Sequence, residues 1–284
     1  MHSFFCCIIL SFFENLPKYF PISISTYYIS LFRIMGYILE NNNFEVNKMD
    51  ILKQEVQDHF NENDSNEIVS MTPKQLYVEL TKHLCRDIKP SDYLNRLSHA
   101  GGFHSFPFSM LKDLEKVPQS PIHHPEGCVW NHVCLVVDQA AEVRQESQYP
   151  TAFMWAALLH DIGKAKTTRN RRGKITAYDH DSVGMQLSIE FLSQLTEDQK
   201  QIRLVSMLVK YHMHPLYVLK NLPFGDIQGL KTETDPREIA LLGFCDRMGR
   251  LGSNVEDEKK NMQEFMDKCG LKDTSINLTH LVNI

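Results

Sequence analysis

The chain has 284 residues, 43% hydrophobic and 23% charged, an ordinary composition for one or two soluble globular domains, long enough to fold without disulfides or a structural metal. A formal net charge of −5 gives no overall basic field of the kind that marks a nucleic-acid binder. Seven scattered cysteines, an odd number with no C-x-x-C pair, argue against a disulfide framework or a thiolate zinc site and point to a reducing, cytoplasmic setting.

In chain order, residues 1–48 stand apart. Ser3 to Phe13 is an apolar run shorter than the ~20 residues of a membrane span, and it lacks a basic n-region. Glu14, Pro17 and Lys18 interrupt it, and the aromatic stretch from Phe20 to Leu39 contains Pro21 and Arg33. The segment is expected to lie outside the fold, as a weak anchor or an upstream mis-start, without stable membrane insertion. Ile51, Leu52 and Val56 predict a short helix, and Asn61 to Asn66 a loop. Thr72-Pro73 is a helix start, with a hydroxyl at the cap and proline in the first turn, and it opens an approximate stripe of Leu76, Val78, Leu80 and Leu84. Pro90-Ser91-Asp92 opens another helix, and Phe103 to Gln119 is mixed.

From Trp130 the helical pattern is strong, with Val133, Val136, Val137 and Ala140 on one face. Further helices are predicted from Pro150 to the His160-Asp161-Ile162-Gly163 stretch, over Val183 to Leu195, over Asp198 to His212 with a stop at Pro215, and over Pro236 to Arg250. Only Lys174 to Ala177 has strand character. The expected fold is all-α, with a helical connector over 49–119, a helical bundle domain over 120–252 and a C-terminal tail over 253–284.

Histidine carries the chemical signal: nine of the 13 fall between His99 and His214. His132 stands near one helix start, His160-Asp161 at another helix end, and Asp246 within the last helix, so converging apolar stripes bring their polar ends to one rim. Imidazole and carboxylate together suit a divalent transition ion. A lone His-Asp pair is usually a surface or structural feature. Here the pair emerges directly from Ala156-Ala157-Leu158-Leu159, and a carboxylate buried without a cation costs several kcal/mol. Lys164 is placed to clamp a phosphate, the blander reading being an exposed lysine near a helix C-terminus. Lys164, Lys166, Arg169, Arg171, Arg172 and Lys174 make a basic loop suited to a nucleotide or an RNA end, or simply a solvated charge run.

His132, His160-Asp161 and Asp246 follow the H…HD…D order of the HD phosphohydrolase superfamily. The surrounding stretches, His123-His124-Pro125-Glu126-Gly127, Tyr178-Asp179-His180-Asp181, Tyr211-His212-Met213-His214-Pro215 and Cys245-Asp246-Arg247, resemble the HD domain of bacterial CCA-adding tRNA nucleotidyltransferases and poly(A)-polymerase-like proteins. The resemblance covers roughly residues 71 to 252, including a connector-like Thr72 to Gln119. The nucleotidyltransferase head of those proteins is not matched: nothing before residue 71 offers its Gly-Ser loop or Asp-x-Asp, so a free-standing HD domain is expected.

The resemblance implies a divalent metal (Mn, Ni, Co, Mg, Fe or Zn) held by His132, His160, Asp161 and Asp246. A second ion would lie at His180 and His212, with Asp161 bridging, and His212 preferred over His214. Asp161 and Lys164 would serve catalysis, and Lys164 and Arg250 would bind substrate. The expected activity is phosphatase or phosphodiesterase chemistry on nucleotide-like or cyclic phosphates. The other readings are an RNA- or tRNA-binding accessory module and a nucleotide sensor, each with a non-catalytic HD site.

Overall fold

A computed structural model describes residues 70–272 and 276–278. The expectations for residues 1–48 and for the short helix after Met49 lie outside the described residues. Helix α1 (Pro73–Arg86) starts where the sequence places it: Thr72 caps Gln75, and the Gln75 side chain returns to the Thr72 N–H at 2.9 Å. Helix α2 (Pro90–His99), a short α3 (Ser109–Lys112) and a 3₁₀ turn (Asp113–Lys116) complete this part.

The centre of the bundle is α5 (Pro150–Leu159), apolar on every side and buried from Ala152 to Leu159. A helix with no polar face must be surrounded. It packs against α1, α4 (Val129–Val143), α8 (Gln199–Tyr211) and α11 (Pro236–Met248). Helix α7 (His180–Ser193) pairs with α8, and a short α6 (Lys164–Thr167) joins α5 to a hairpin. Its strands, β1 (Arg169–Arg171) and β2 (Lys174–Thr176), are antiparallel, with Arg171 opposite Lys174. Arg172 and Gly173 have φ of 53° and 80°, the paired positive values of the tight turn that matches strand twist.

Among the described residues, several elements escape the sequence reading. Pro215, the expected stop of α8, also sits in the first turn of α9 (His214–Leu219). Helix α10 (Ile227–Glu233) is short. The segment read as a tail contains α12 (Val255–Lys268), which is capped by Asn254 and buries Met262, Phe265 and Met266 against α9 and α11. Among the described residues, no helix is long and apolar enough to cross a membrane.

Candidate metal centre

Six side chains singled out from the sequence meet at one end of α5. His132 lies in the first turns of α4, His160 and Asp161 follow the end of α5, and His180 opens α7. His212 follows α8, and Asp246 stands near the end of α11. None of the six is more than 7% exposed.

Their arrangement depends on where helices stop. Carbonyls in a helix's last turn have no partner in the helix itself. His160 Nδ1 donates to Ala157 O at 2.8 Å, and His212 Nδ1 to Val209 O at 2.6 Å. His180 Nδ1 donates at 2.7 Å to Ala177 O, in the turn before α7. A carbonyl only accepts, so each bond puts the ring proton on Nδ1 and turns the Nε2 lone pair inward, the state of a ligating imidazole. His160 Nε2 is buried with no hydrogen-bond partner. His180 Nε2 and His212 Nε2 stand 3.2 Å apart, lone pair against lone pair. A cation relieves that repulsion, and two nitrogens each ~2.1 Å from one ion are about 3.0–3.4 Å apart at octahedral to tetrahedral angles.

Asp161 lies between two ligand groups. Its Oδ1 is 3.4 Å from His180 Nε2 and 3.8 Å from His212 Nε2. Its Oδ2 is 3.3 Å from His160 Nε2 and 3.9 Å from His132 Nε2. On the far side, His132 Nε2 is 2.9 Å from Asp246 Oδ1. In each of the sets Asp161–His180–His212 and His132–His160–Asp246, the potential ligand atoms lie within 4.8 Å of one another. This mixed nitrogen and oxygen donor set fits a divalent transition ion.

Electrostatics keeps the two carboxylates, His180 and His212 in ligand form. Burial works against the charge on Asp161, but Lys164 and His160 hold its carboxyl well below the usual range. Asp246 is held low against burial by Arg250 and His132. Burial and the neighbouring His180 and His160 push His212 down to about 3, and burial lowers His180 too, so both rings stay neutral near pH 7. His132 is raised instead: burial opposes its charge, and Asp246 and Glu126 outweigh burial.

The expected phosphate cations are also here. Lys164 Nζ lies 2.7 Å from Asp161 Oδ2 and donates to Gln119 Oε1 at 2.8 Å. Lys164 opens α6 rather than trailing α5, so it does not sit at a helix C-terminus as the blander reading requires. Arg250 Nη2 reaches both Asp246 oxygens, at 3.1 and 3.2 Å. Both cations line a cavity of about 410 Å³ in front of the ligand groups, and the hairpin segment supplies part of its wall through Thr168, Ile175, Thr176 and Ala177. His214 packs edge-on against Tyr211 and at a tilt against Tyr217, and belongs to neither ligand set.

Sequence reasoning gave no role to Gln119, His124 or Glu126. Glu126 Oε1 accepts from His124 Nδ1 at 2.8 Å and lies 3.0 Å from His132 Nδ1, off the line of a good hydrogen bond. The available signal was a carboxylate six positions before the first ligand histidine, directly after His123-His124-Pro125.

Residues 129–250 match the family model described as the HD domain. The multifunctional CCA protein of Actinobacillus pleuropneumoniae serotype 5b is 29% identical over 148 residues, covering 52% of this chain and 35% of that protein. The multifunctional CCA protein of Pseudomonas aeruginosa PAO1 is 28% identical over 201 residues, 68% of this chain and 47% of its own. That of Methylococcus capsulatus is 28% identical over 200 residues, 66% and 44% respectively. The chain thus spans about a third to a half of the length of the curated relatives it matches.

Proposed function

Residues 129–250 being an HD domain distantly related to the HD region of multifunctional CCA proteins, we propose that the chain is a metal-dependent phosphohydrolase acting on nucleotide-like or cyclic phosphates. The observation that carries this reading is the set of three imidazoles tied through Nδ1 to main-chain carbonyls, with Nε2 turned toward Asp161, Asp246 and one another. His132, His160, Asp161 and Asp246 would hold one divalent ion, and His180 and His212, sharing Asp161, a second. Such an ion supplies a water acidic enough to attack near neutral pH and positive charge opposite the phosphoryl oxygens.

The remaining work falls to the chain. Lys164 and Arg250 line the cavity and balance phosphate charge there. Asp161, held anionic by Lys164, is a weak proton acceptor, so its role is to orient the attacking water rather than to serve as the main base.

A second reading, an RNA- or tRNA-binding accessory module, is favoured by the basic hairpin beside the cavity. Purified full-length protein, assayed with Mn²⁺, Ni²⁺, Co²⁺ or Mg²⁺ against phosphomonoesters and cyclic phosphodiesters, separates the two. We expect stoichiometric metal and a hydrolytic activity that Asp161→Ala abolishes. Activity untouched by Asp161→Ala would refute the enzyme, and RNA binding without turnover would establish the accessory role.

A further inference from the structure

The four histidines of the centre are not oriented in the same way. His160, His180 and His212 lie at helix ends or turns, where a carbonyl three residues back is free to accept from Nδ1. His132 lies within α4, which starts at Val129, so the carbonyl three residues back belongs to the helix's own hydrogen-bond ladder. Its ring must be oriented by something else. The group facing its Nδ1 is Glu126 Oε1 at 3.0 Å, from a carboxylate whose side chain is 2% exposed. The carboxylate's other oxygen, Glu126 Oε2, is buried with no hydrogen-bond partner.

The same oxygen holds a second ring. His124 Nδ1 lies 2.8 Å from Glu126 Oε1, and His124 packs edge-on against His132 with ring centroids 4.8 Å apart. With Nδ1 committed to the carboxylate, Nε2 is the nitrogen His124 can offer to the cavity it lines together with Lys164 and Arg250. A carboxylate behind an imidazole fixes its tautomer and direction, and losing such a partner weakens metal affinity ~10–100-fold.

We infer that Glu126 is the positioning residue of the centre, turning His132 Nε2 onto the metal and, from the same oxygen, His124 Nε2 into the cavity as an acceptor for the P–OH of a hydrogen phosphate. The inference rests on the metal-dependent reading above and adds two side chains to it, one acting through another residue and one touching the ligand.

The two arms separate experimentally. Metal-stripped full-length protein is titrated with Co²⁺, followed by calorimetry and by the visible spectrum of the bound ion, and the Co²⁺-loaded protein is then titrated with inorganic phosphate. Glu126→Ala is expected to weaken Co²⁺ by ~10–100-fold and to change the spectrum. Glu126→Gln, whose amide oxygen can still face Nδ1 but without a full charge, should fall between Glu126→Ala and the unmodified protein. His124→Ala should keep the Co²⁺ affinity and spectrum but weaken inorganic phosphate at least about fivefold, the low end of a typical coupling between groups. Unchanged Co²⁺ affinity and spectrum in Glu126→Ala would overturn the positioning role, with Glu126→Gln deciding if the alanine variant does not fold. Unchanged phosphate affinity in His124→Ala would overturn the ligand contact. Unmodified protein that takes up no Co²⁺ would overturn this inference together with the reading beneath it.

Discussion

Gly163→Ala tests how tightly the HD turn is fitted to α7. A Cβ at position 163 would lie 2.0 Å from His180 O, 2.9 Å from its carbonyl carbon and 2.7 Å from Gly184 N. All three are main-chain atoms of α7, so no side-chain rotation relieves the clash. Reaching the ~3.5 Å of ordinary contact requires a shift of about 1.5 Å between the turn and the helix. Overpacking a well-filled interior costs ~1–3 kcal/mol, and a contact made wholly with backbone belongs at the top of that range. For a domain of this size each kcal/mol lowers the melting temperature by ~2–4 °C, giving about 6–12 °C for ~3 kcal/mol. The displacement also carries His180 away from Asp161 and His212, and metal sites tolerate only ~0.2 Å in ligand distance, so metal affinity should fall with stability. Gly184→Ala is the control: its Cβ would meet only Val209 Cγ1 at close range, at 3.1 Å, a side-chain methyl able to give way. We expect less than ~1 kcal/mol there. Calorimetric melting of the metal-free proteins and Co²⁺ titration provide both readouts. A Gly163→Ala protein melting within ~2 °C of the unmodified chain, or binding Co²⁺ equally well, would refute the reasoning.

Three further outcomes follow from the same geometry. His124 is pushed down to about 4, and His180 and His212 are also lowered, so the unfolded chain takes up protons at these rings before the folded one does. Stability of the metal-free protein should therefore fall as pH drops from ~6.5 toward ~4, by at most ~1.4 kcal/mol per pH unit for each ring. His132 is raised and works the other way, its contribution present below ~6.5 and lost as pH rises through its folded value. Glu126, Asp161 and Asp246 are lowered, and their contribution is lost only below the ordinary carboxylate range. Burial lowers His214 as well, while it raises the carboxyls of Glu238 and Asp138, which oppose the trend; a melting temperature at pH 5 equal to that at pH 7 would contradict the balance of four lowered rings against one raised. Lys164→Met should weaken inorganic phosphate binding to the Co²⁺-loaded protein by ~10-fold, the loss of one charge-assisted hydrogen bond, and unchanged affinity in titration would remove Lys164 from the binding site. On the hairpin, Arg171→Glu with Lys174→Glu should lower the salt dependence of oligonucleotide binding by about one unit of log–log slope for each phosphate no longer neutralised, and an unchanged slope would make the hairpin a solvated surface.

The sequence carried most of the centre because its ligands stand beside strong local signals. His160-Asp161 follows the most apolar helix among the described residues, His132 lies in a helix with a clear apolar face, and Asp246 ends the run buried from Glu238 onward. The order H…HD…D could therefore be read before any geometry was known. Glu126 could not, because its task depends on His132 lying inside a helix rather than at its end, a difference of one turn that residue types do not reveal. Helix α12 was missed because its stripe is thin: Met262, Phe265 and Met266 are scattered among charged residues that face water. The basic run read as a loop is a hairpin because Arg172-Gly173 accepts positive φ on both residues, a weak signal when flanked by so many cations.

The ends of α5 and α8 and the start of α7, together with α4 and α11, all converge on the same few ångströms. Ions bound in the two ligand sets there would tie together five helices that already meet through side-chain packing and contacts such as His132 Nε2 to Asp246 Oδ1. Since such a site exists only in the folded chain, the ion would add stability as RT ln(1 + [M]/Kd), about 2.7 kcal/mol at a free concentration one hundred times Kd. The stability of this protein would then follow the supply of its metal, and a cell short of that ion would hold a less stable form of it.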